Sequence, residues 1–79
     1  MSRAAFARRF RELVRESPLR YVARCRMDLA ARLLRETDEP LPAVAAAAGY
    51  ESEFAFSKAF RRSRGVPPGR FRDARRASA

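Results

Sequence analysis

These 79 residues predict an all-α fold, and three observations carry that expectation. Apolar residues recur at helical spacing in successive segments. Each segment is bracketed by capping residues or by Pro and Gly. Nowhere does an apolar and polar alternation of period two run long enough to read as a strand. A chain of this size buries only about 60% of its unfolded surface, so one small core is all it can build.

The first segment opens at Ser2, a favourable N-cap. Phe6, Phe10, Leu13 and Val14 follow at i, i+4, i+7 and i+8, with Arg3, Arg8, Arg11 and Arg15 on the other face. Ser17-Pro18 restarts the chain, Ser as N-cap and Pro at the first helical position, where its missing N–H costs nothing. The second helix is expected over Pro18–Glu36, with Tyr21, Val22, Cys25, Leu29, Leu33 and Leu34 as its apolar stripe. That spacing makes Cys25 a buried structural thiol rather than a redox sensor, and Tyr21 a core residue. At 1.5 Å per residue the helix is ~28 Å long. Thr37 to Pro40 is a linker, because the residue before a proline resists helix.

The third helix is expected over 41–48, with Leu41, Val44, Ala45 and Ala48 inward and Pro42 tolerated in the first turn. Gly49 supplies the left-handed residue that ends a helix. Ser52 caps a fourth helix, Glu53–Arg64, whose Glu53 opposes the positive end of the dipole and which Gly65 terminates. Pro67-Pro68 opens a last short helix, with Phe71 pointing back and Arg75 and Arg76 fraying into a tail.

Composition removes several function classes. There are 18 Lys+Arg against 9 Asp+Glu and no His, a formal charge of +9, and Lys58 is the only Lys. With 47% hydrophobic residues the chain is too apolar for a disordered basic tail. No apolar run approaches the ~18 residues of a membrane span. Arg3, Arg8 and Arg9 interrupt the stretch where a signal peptide needs an apolar block. A single Cys excludes an intramolecular disulfide and a Cys-rich zinc site, and without His the common metal, triad and general-base constellations are missing. No enzyme, cofactor or metal site is expected. The excess charge asks for an anionic partner, nucleic acid first, against the plainer reading of a solvated surface in an Arg-rich proteome. Residues 1–39 carry 10 Arg against 6 acids and residues 40–79 carry 8 cations against 3 acids, so the position of each cation must decide.

Two short helices joined by a turn containing Gly, 41–48 and Glu53–Arg64, follow the grammar of a helix-turn-helix. The small residues 45–48 let the first helix lie closely across the second, and Phe56, Ala59 and Phe60 fill the space beneath. Glu53, Phe54, Ser57, Lys58 and Arg61 are left on the exposed face. In this motif the second helix enters the major groove. Lys58 can donate to guanine O6 and N7, Glu53 can accept from cytosine N4, Ser57 suits either edge, and Phe54 can press on a thymine methyl. Arg61 and Arg62 suit phosphates. Plainer readings stand beside these: a helix pair that only packs, Phe54 as a partly buried aromatic, and Glu53 as a helix-start carboxylate that repels phosphates.

Arg26-Met27 with Ala30 and Leu33-Leu34, Val44-Ala45 with Gly49-Tyr50-Glu51-Ser52, Phe56-Ser57-Lys58-Ala59-Phe60-Arg61, and Gly65-Val66-Pro67-Pro68 with Arg70-Phe71-Arg72 form an ordered series without gaps. In that series the chain resembles the C-terminal DNA-binding region of AraC/XylS-type transcription regulators. The resemblance implies two helix-turn-helix units joined by a long central helix, each placing a recognition helix in the major groove on one DNA face. Pro18–Glu36 matches the connector, and its ~28 Å suits grooves one turn, ~34 Å, apart. The implied fold class is all-α, a homeodomain-like helix-turn-helix unit joined by a long connector helix to a lone recognition helix from a partial second unit. Residues 1–16 are that recognition helix, 17–36 the connector and 37–76 the complete unit with its C-terminal helix.

Residue by residue, the resemblance implies that Glu53, Phe54, Ser57 and Lys58 face bases in the complete unit, and that Arg3, Ala4, Ala7 and Arg8 face the groove from the first helix. Arg8 leads there, since guanidinium to guanine is the commonest specific contact, while the small Ala4 and Ala7 imply sparse reading. Ser52, Arg11, Arg61 and Arg62 are the expected phosphate contacts. Arg15 stands at or near a usual Gly and Pro67 at a usual Ser, departures that imply weaker capping.

Two helices that support the first recognition helix, and the ligand-sensing or dimerising domain of many members, are implied but absent from the sequence. A start set too late, a fragment or a decayed remnant each accounts for that. Phe6, Phe10, Leu13 and Val14 then lack their usual packing surface. Residues 18–76 are expected to fold intact, and the first helix to dock differently or fray.

The expected function is sequence-specific binding of double-stranded DNA by a transcription regulator, cytoplasmic and nucleoid-associated, reading the major groove with helix 53–64. RNA polymerase is a further expected partner and a membrane is not; oligomeric state is left open. The alternative is an interaction module that does not read DNA and pairs with a regulator or RNA polymerase through the exposed Phe6, Phe10 and Leu13 face. A third reading, a cationic amphipathic peptide at anionic membranes, is opposed by the capped helices and turn glycines.

Overall fold

The computed structural model describes residues 2–77, and among them every regular element is a helix. In chain order these are α1 (Arg3–Val14), α2 (Pro18–Glu36), α3 (Leu41–Ala47), α4 (Glu53–Arg64) and α5 (Pro68–Ala77). Their ends are set locally. The Oγ atoms of Ser2, Ser17 and Ser52 accept from the backbone N–H of Ala5, Arg20 and Ala55, satisfying donors that a helix start leaves unpaired. α5 begins at Pro68, and the Phe71 N–H donates to the Pro67 carbonyl.

α3 ends at Ala47, one residue before the expected limit, and Ala48 is its C-cap, still donating its N–H to the Val44 carbonyl. Gly49, at φ +89°, takes the left-handed turn that follows. The Tyr50 N–H then donates to the Ala45 carbonyl and the Gly49 N–H to the Ala46 carbonyl, a Schellman closure. This sharp stop aims the chain into α4.

The core lies where α2 crosses the α3–α4 pair and α5 closes beneath. It is built from Met27, Ala30, Ala31 and Leu34 of α2, Val44, Ala45 and Ala48, Phe56 and Phe60 of α4, and Phe71 of α5. Phe60 sits edge-on to Phe71, centroids 5.2 Å apart. The expected stripe on α2 is therefore corrected. Tyr21, Leu29 and Leu33 are half-buried, Val22 is 44% exposed and Cys25 is exposed rather than a buried thiol. The face centred on Met27 and Leu34 is the one covered, because two alanines there let the helices approach closely. Apolar spacing alone does not reveal which flank a partner will occupy.

α1 has no buried residue; Phe6, Leu13 and Val14 are 52%, 75% and 42% exposed. It is nevertheless a regular helix, docked on α2 through Phe10, whose ring meets Tyr21 edge-on at 5.3 Å. Arg15 closes it at φ +62° in the left-handed region, its N–H donating to the Arg11 carbonyl. Among the described residues no helix is long and apolar enough to cross a membrane.

Left-handed backbone costs a side-chain-bearing residue roughly 1–2 kcal/mol, part of which glycine returns through unfolded-state entropy. Arg15→Gly should therefore stabilise the chain, and Gly65→Ala, at φ +84°, should destabilise it. Urea unfolding should give shifts of opposite sign, each of about 1 kcal/mol or less. Destabilisation by Arg15→Gly would contradict the assigned turn.

Candidate nucleic-acid interface

α4 presents two unlike faces. Phe56 and Phe60 are 0% exposed and lock the helix into the core, whereas Phe54 is 75% exposed. Glu53, Phe54, Lys58 and Arg61 are all exposed, and Ser57 is half-buried at the edge of the same face. Phe54 is thus not the partly buried aromatic that its residue type suggests. Its ring lies 5.7 Å from Lys58 Nζ, a cation–π distance that steadies both side chains on the outer face. Glu53 stands in the first turn, where its charge offsets the helix dipole. Ser52 Oγ is engaged by the Ala55 N–H at 3.0 Å, which leaves the hydroxyl hydrogen free to donate outward.

On α1, Arg3, Ala4, Arg8 and Arg11 are exposed and Ala7 is half-buried. α1 meets α2 at Tyr21 through Phe10 and α4 is tied to α2 at Asp28 through Arg64, in a molecule measuring 46 × 26 × 19 Å. The structure therefore gathers the predicted residues into two outward-facing sets on separate helices rather than into one pocket. An open cleft of about 500 Å³ between α2 and α4 adds Arg20, Arg24 and Arg62 along its rim.

Four of the arginines are held in ion pairs. Arg24, Arg32, Arg64 and Arg76 pair with Glu16, Glu36, Asp28 and Asp38. Arg24 Nη2 donates to Glu16 at 2.6 Å, and that hydrogen bond, with the Coulombic attraction of the same carboxylate, raises the Arg24 pKa further above its ordinary value. Arg3, Arg8, Arg11, Arg61 and Arg62 have no ion pair among the described residues. Four of the nine acids take part in these pairs, all of them on α2 or beside its ends. The paired group escapes sequence reasoning because its partners across helices lie as many as 38 residues apart. Arg32 and Glu36 are the exception, an i,i+4 pair within α2 that local spacing does encode.

A helix-turn-helix domain model matches residues 1–74. The chain belongs to the AraC-type helix-turn-helix family. It is similar to an AraC-like transcription regulator of Streptomyces lividans, 47% identical over 72 residues that make up 91% of this chain and 24% of that protein. It is also similar to the transcriptional activator RclR of Escherichia coli K12, at 38% identity over 92% of this chain and 26% of that protein. The chain thus spans about a quarter of the length of these curated relatives. Among solved structures, the DNA-binding domain of the global transcriptional factor AdpA, in complex with a target DNA, superposes with a TM-score of 0.92 at 40% identity, covering 99% of this chain and 70% of that one. The C-terminal domain of AraT, a response regulator from Geobacillus stearothermophilus, gives a TM-score of 0.91 at 31% identity over 95% of this chain and 62% of its own. With 99% of the chain matched, α1 of this AraC-type domain is included in the likeness to AdpA.

If Phe54 is held outward and Phe60 inward, their truncations should differ in kind. Phe60→Ala should cost roughly 3–5 kcal/mol in urea unfolding, and Phe54→Ala less than about 0.5 kcal/mol. Equal losses would place Phe54 in the core.

Proposed function

We propose that this chain binds double-stranded DNA as the DNA-binding part of a transcription regulator, with α4 in the major groove and α1 in the next groove on the same face. The observation that carries this reading is the outer face of α4. Glu53, Phe54 and Lys58 project from a helix whose opposite side is fully buried, at the end of a helix-turn-helix closed by Gly49. The relatives supply the biological setting, and the AdpA domain was solved on its target DNA.

In this reading Arg11, Arg61, Arg62 and the Ser52 hydroxyl meet phosphates and supply affinity without sequence preference. Lys58, Ser57, Glu53 and Phe54 meet base edges, Lys58 as the guanine reader and Phe54 against a thymine methyl. On α1, Arg3 and Arg8 flank Ala4 and Ala7, so Arg8 does most of the reading there. A chain so bound resides on the nucleoid and, as a regulator, meets RNA polymerase at promoters.

The exposed apolar side chains of Phe6, Leu13, Leu19 and Val22 favour a second reading, an interaction module that works through α1 without reading DNA. Fluorescence anisotropy on the DNA upstream of the chain's own gene, with a scrambled competitor, separates the two. A DNA reader should prefer the native duplex and, with about six phosphates neutralised, show a log K against log salt slope near −5. Lys58→Ala should cut the preference by ~1–3 kcal/mol, whereas Arg62→Ala should weaken all sequences alike. Flat anisotropy would favour the interaction module, and equal losses for Lys58→Ala on both duplexes would remove Lys58 from base reading.

A further inference from the structure

The C-terminus of α2 is where the connector meets the reading unit, and α5 holds it there. A helix end leaves its last four carbonyls without intrahelical partners. At this end the Leu33 carbonyl accepts from the Thr37 N–H at 3.0 Å and from Thr37 Oγ1 at 2.7 Å. The next carbonyl, that of Leu34, accepts from Arg72 Nε at 3.2 Å. One turn farther along α5, Arg76 Nη2 donates to the Thr37 carbonyl at 3.0 Å and also pairs with Asp38. Two guanidinium groups therefore complete the end of α2 from a different helix and fix the first residues of the linker into α3.

The middle of α2 is tied separately. Asp28 pairs with Arg64 in the last turn of α4. Attachment at two places along its length sets the direction of a rod, and α2 is the rod that carries α1. Arg72 is not there for stability alone. It is half-buried, and its Nη2 is buried with no hydrogen-bond partner, a desolvation that an apolar side chain of similar volume avoids. What the guanidinium supplies and an apolar residue does not is a directed bond to one carbonyl.

We propose that Arg72 and Arg76 are positioning residues that clamp the connector and so set the spacing and phase of the two reading helices. The proposal rests on the two-helix DNA reading for its consequence, but its first test does not. Spin labels at Leu19→Cys and Arg70→Cys, in a Cys25→Ser background, report the distance between the free end of α2 and α5. The unclamped variants are Arg72→Ala and Arg76→Ala, with Arg72→Lys as the conservative rescue that retains a single donor.

The clamp predicts a narrow distance distribution in the parent, a clearly broader one in both alanine variants at unchanged helical circular dichroism, and partial narrowing in Arg72→Lys. The second test uses duplexes selected by the parent from a random pool, with base pairs inserted between the two contacted grooves. The parent should lose affinity steeply at half a turn, about 5 base pairs. The alanine variants should give a flattened spacing profile while keeping binding to a duplex carrying only the α4 site. Unchanged distributions, or equal losses at every spacing, would overturn the clamp. A parent that selects no duplex would overturn the DNA reading and leave the distances to judge the clamp alone. If Arg72→Ala lowers helix content, Arg76→Ala and Asp38→Asn carry the same comparison.

Discussion

Ala30 and Ala31 carry only a methyl group each and are almost wholly buried where α2 crosses the helix-turn-helix. That close crossing governs the rest of the molecule. Helix axes approach to about 8–10 Å according to the side chains between them, and small side chains such as these two permit the closer approach. Met27 and Leu34 flank the alanines along α2, Val44, Ala45 and Ala48 meet them from the other unit, and Phe56, Phe60 and Phe71 complete the filling. One added methylene in such a core typically costs 1–3 kcal/mol. The same methylene also moves α4 relative to α2, and through the ~28 Å lever of α2 relative to α1. Stability and the geometry of the two outer faces therefore rest on one contact.

Charge is arranged around that frame. A net +9 on 79 residues opposes compaction, and the acids available to relieve it are few. Four of the nine lie on α2 or beside its ends, where Glu16, Asp28, Glu36 and Asp38 each hold an arginine. Such exposed pairs contribute little to stability singly. The positive charge itself stays spread, with five arginines against two acids on α2 and four cations against one acid on each of α1, α4 and α5.

Much of this was legible in the sequence where the determinants are local. Ser2, Ser17 and Ser52 are caps because a hydroxyl one residue ahead of a helix finds a free N–H, and Gly49 and Gly65 stop helices because they accept positive φ. These marks locate the helices and the turn without tertiary information. The outer face of α4 followed as the complement of Phe56 and Phe60. The face of α2 did not follow, because its large apolar residues suggested Tyr21, Val22 and Cys25 while the covered flank is chosen by what docks. Phe54 was hard for the same reason, an aromatic whose exposure depends on its neighbours. The bonds of Arg64, Arg72 and Arg76 join residues 36 to 39 positions apart and leave no periodic trace. Arg15 stands between these cases: a residue ill-suited to positive φ occupies it because the turn into α2 demands that conformation.

The central claim is that two helices of this chain enter two successive major grooves on one face of DNA. Hydroxyl-radical footprinting, with guanine N7 methylation interference on the same duplex selected from a random pool, tests it most directly. The account predicts two protected patches on one face, about 10 base pairs apart, with interference at guanines in both major grooves and the stronger set under α4. A uniform footprint without N7 interference would contradict it and leave only a basic surface.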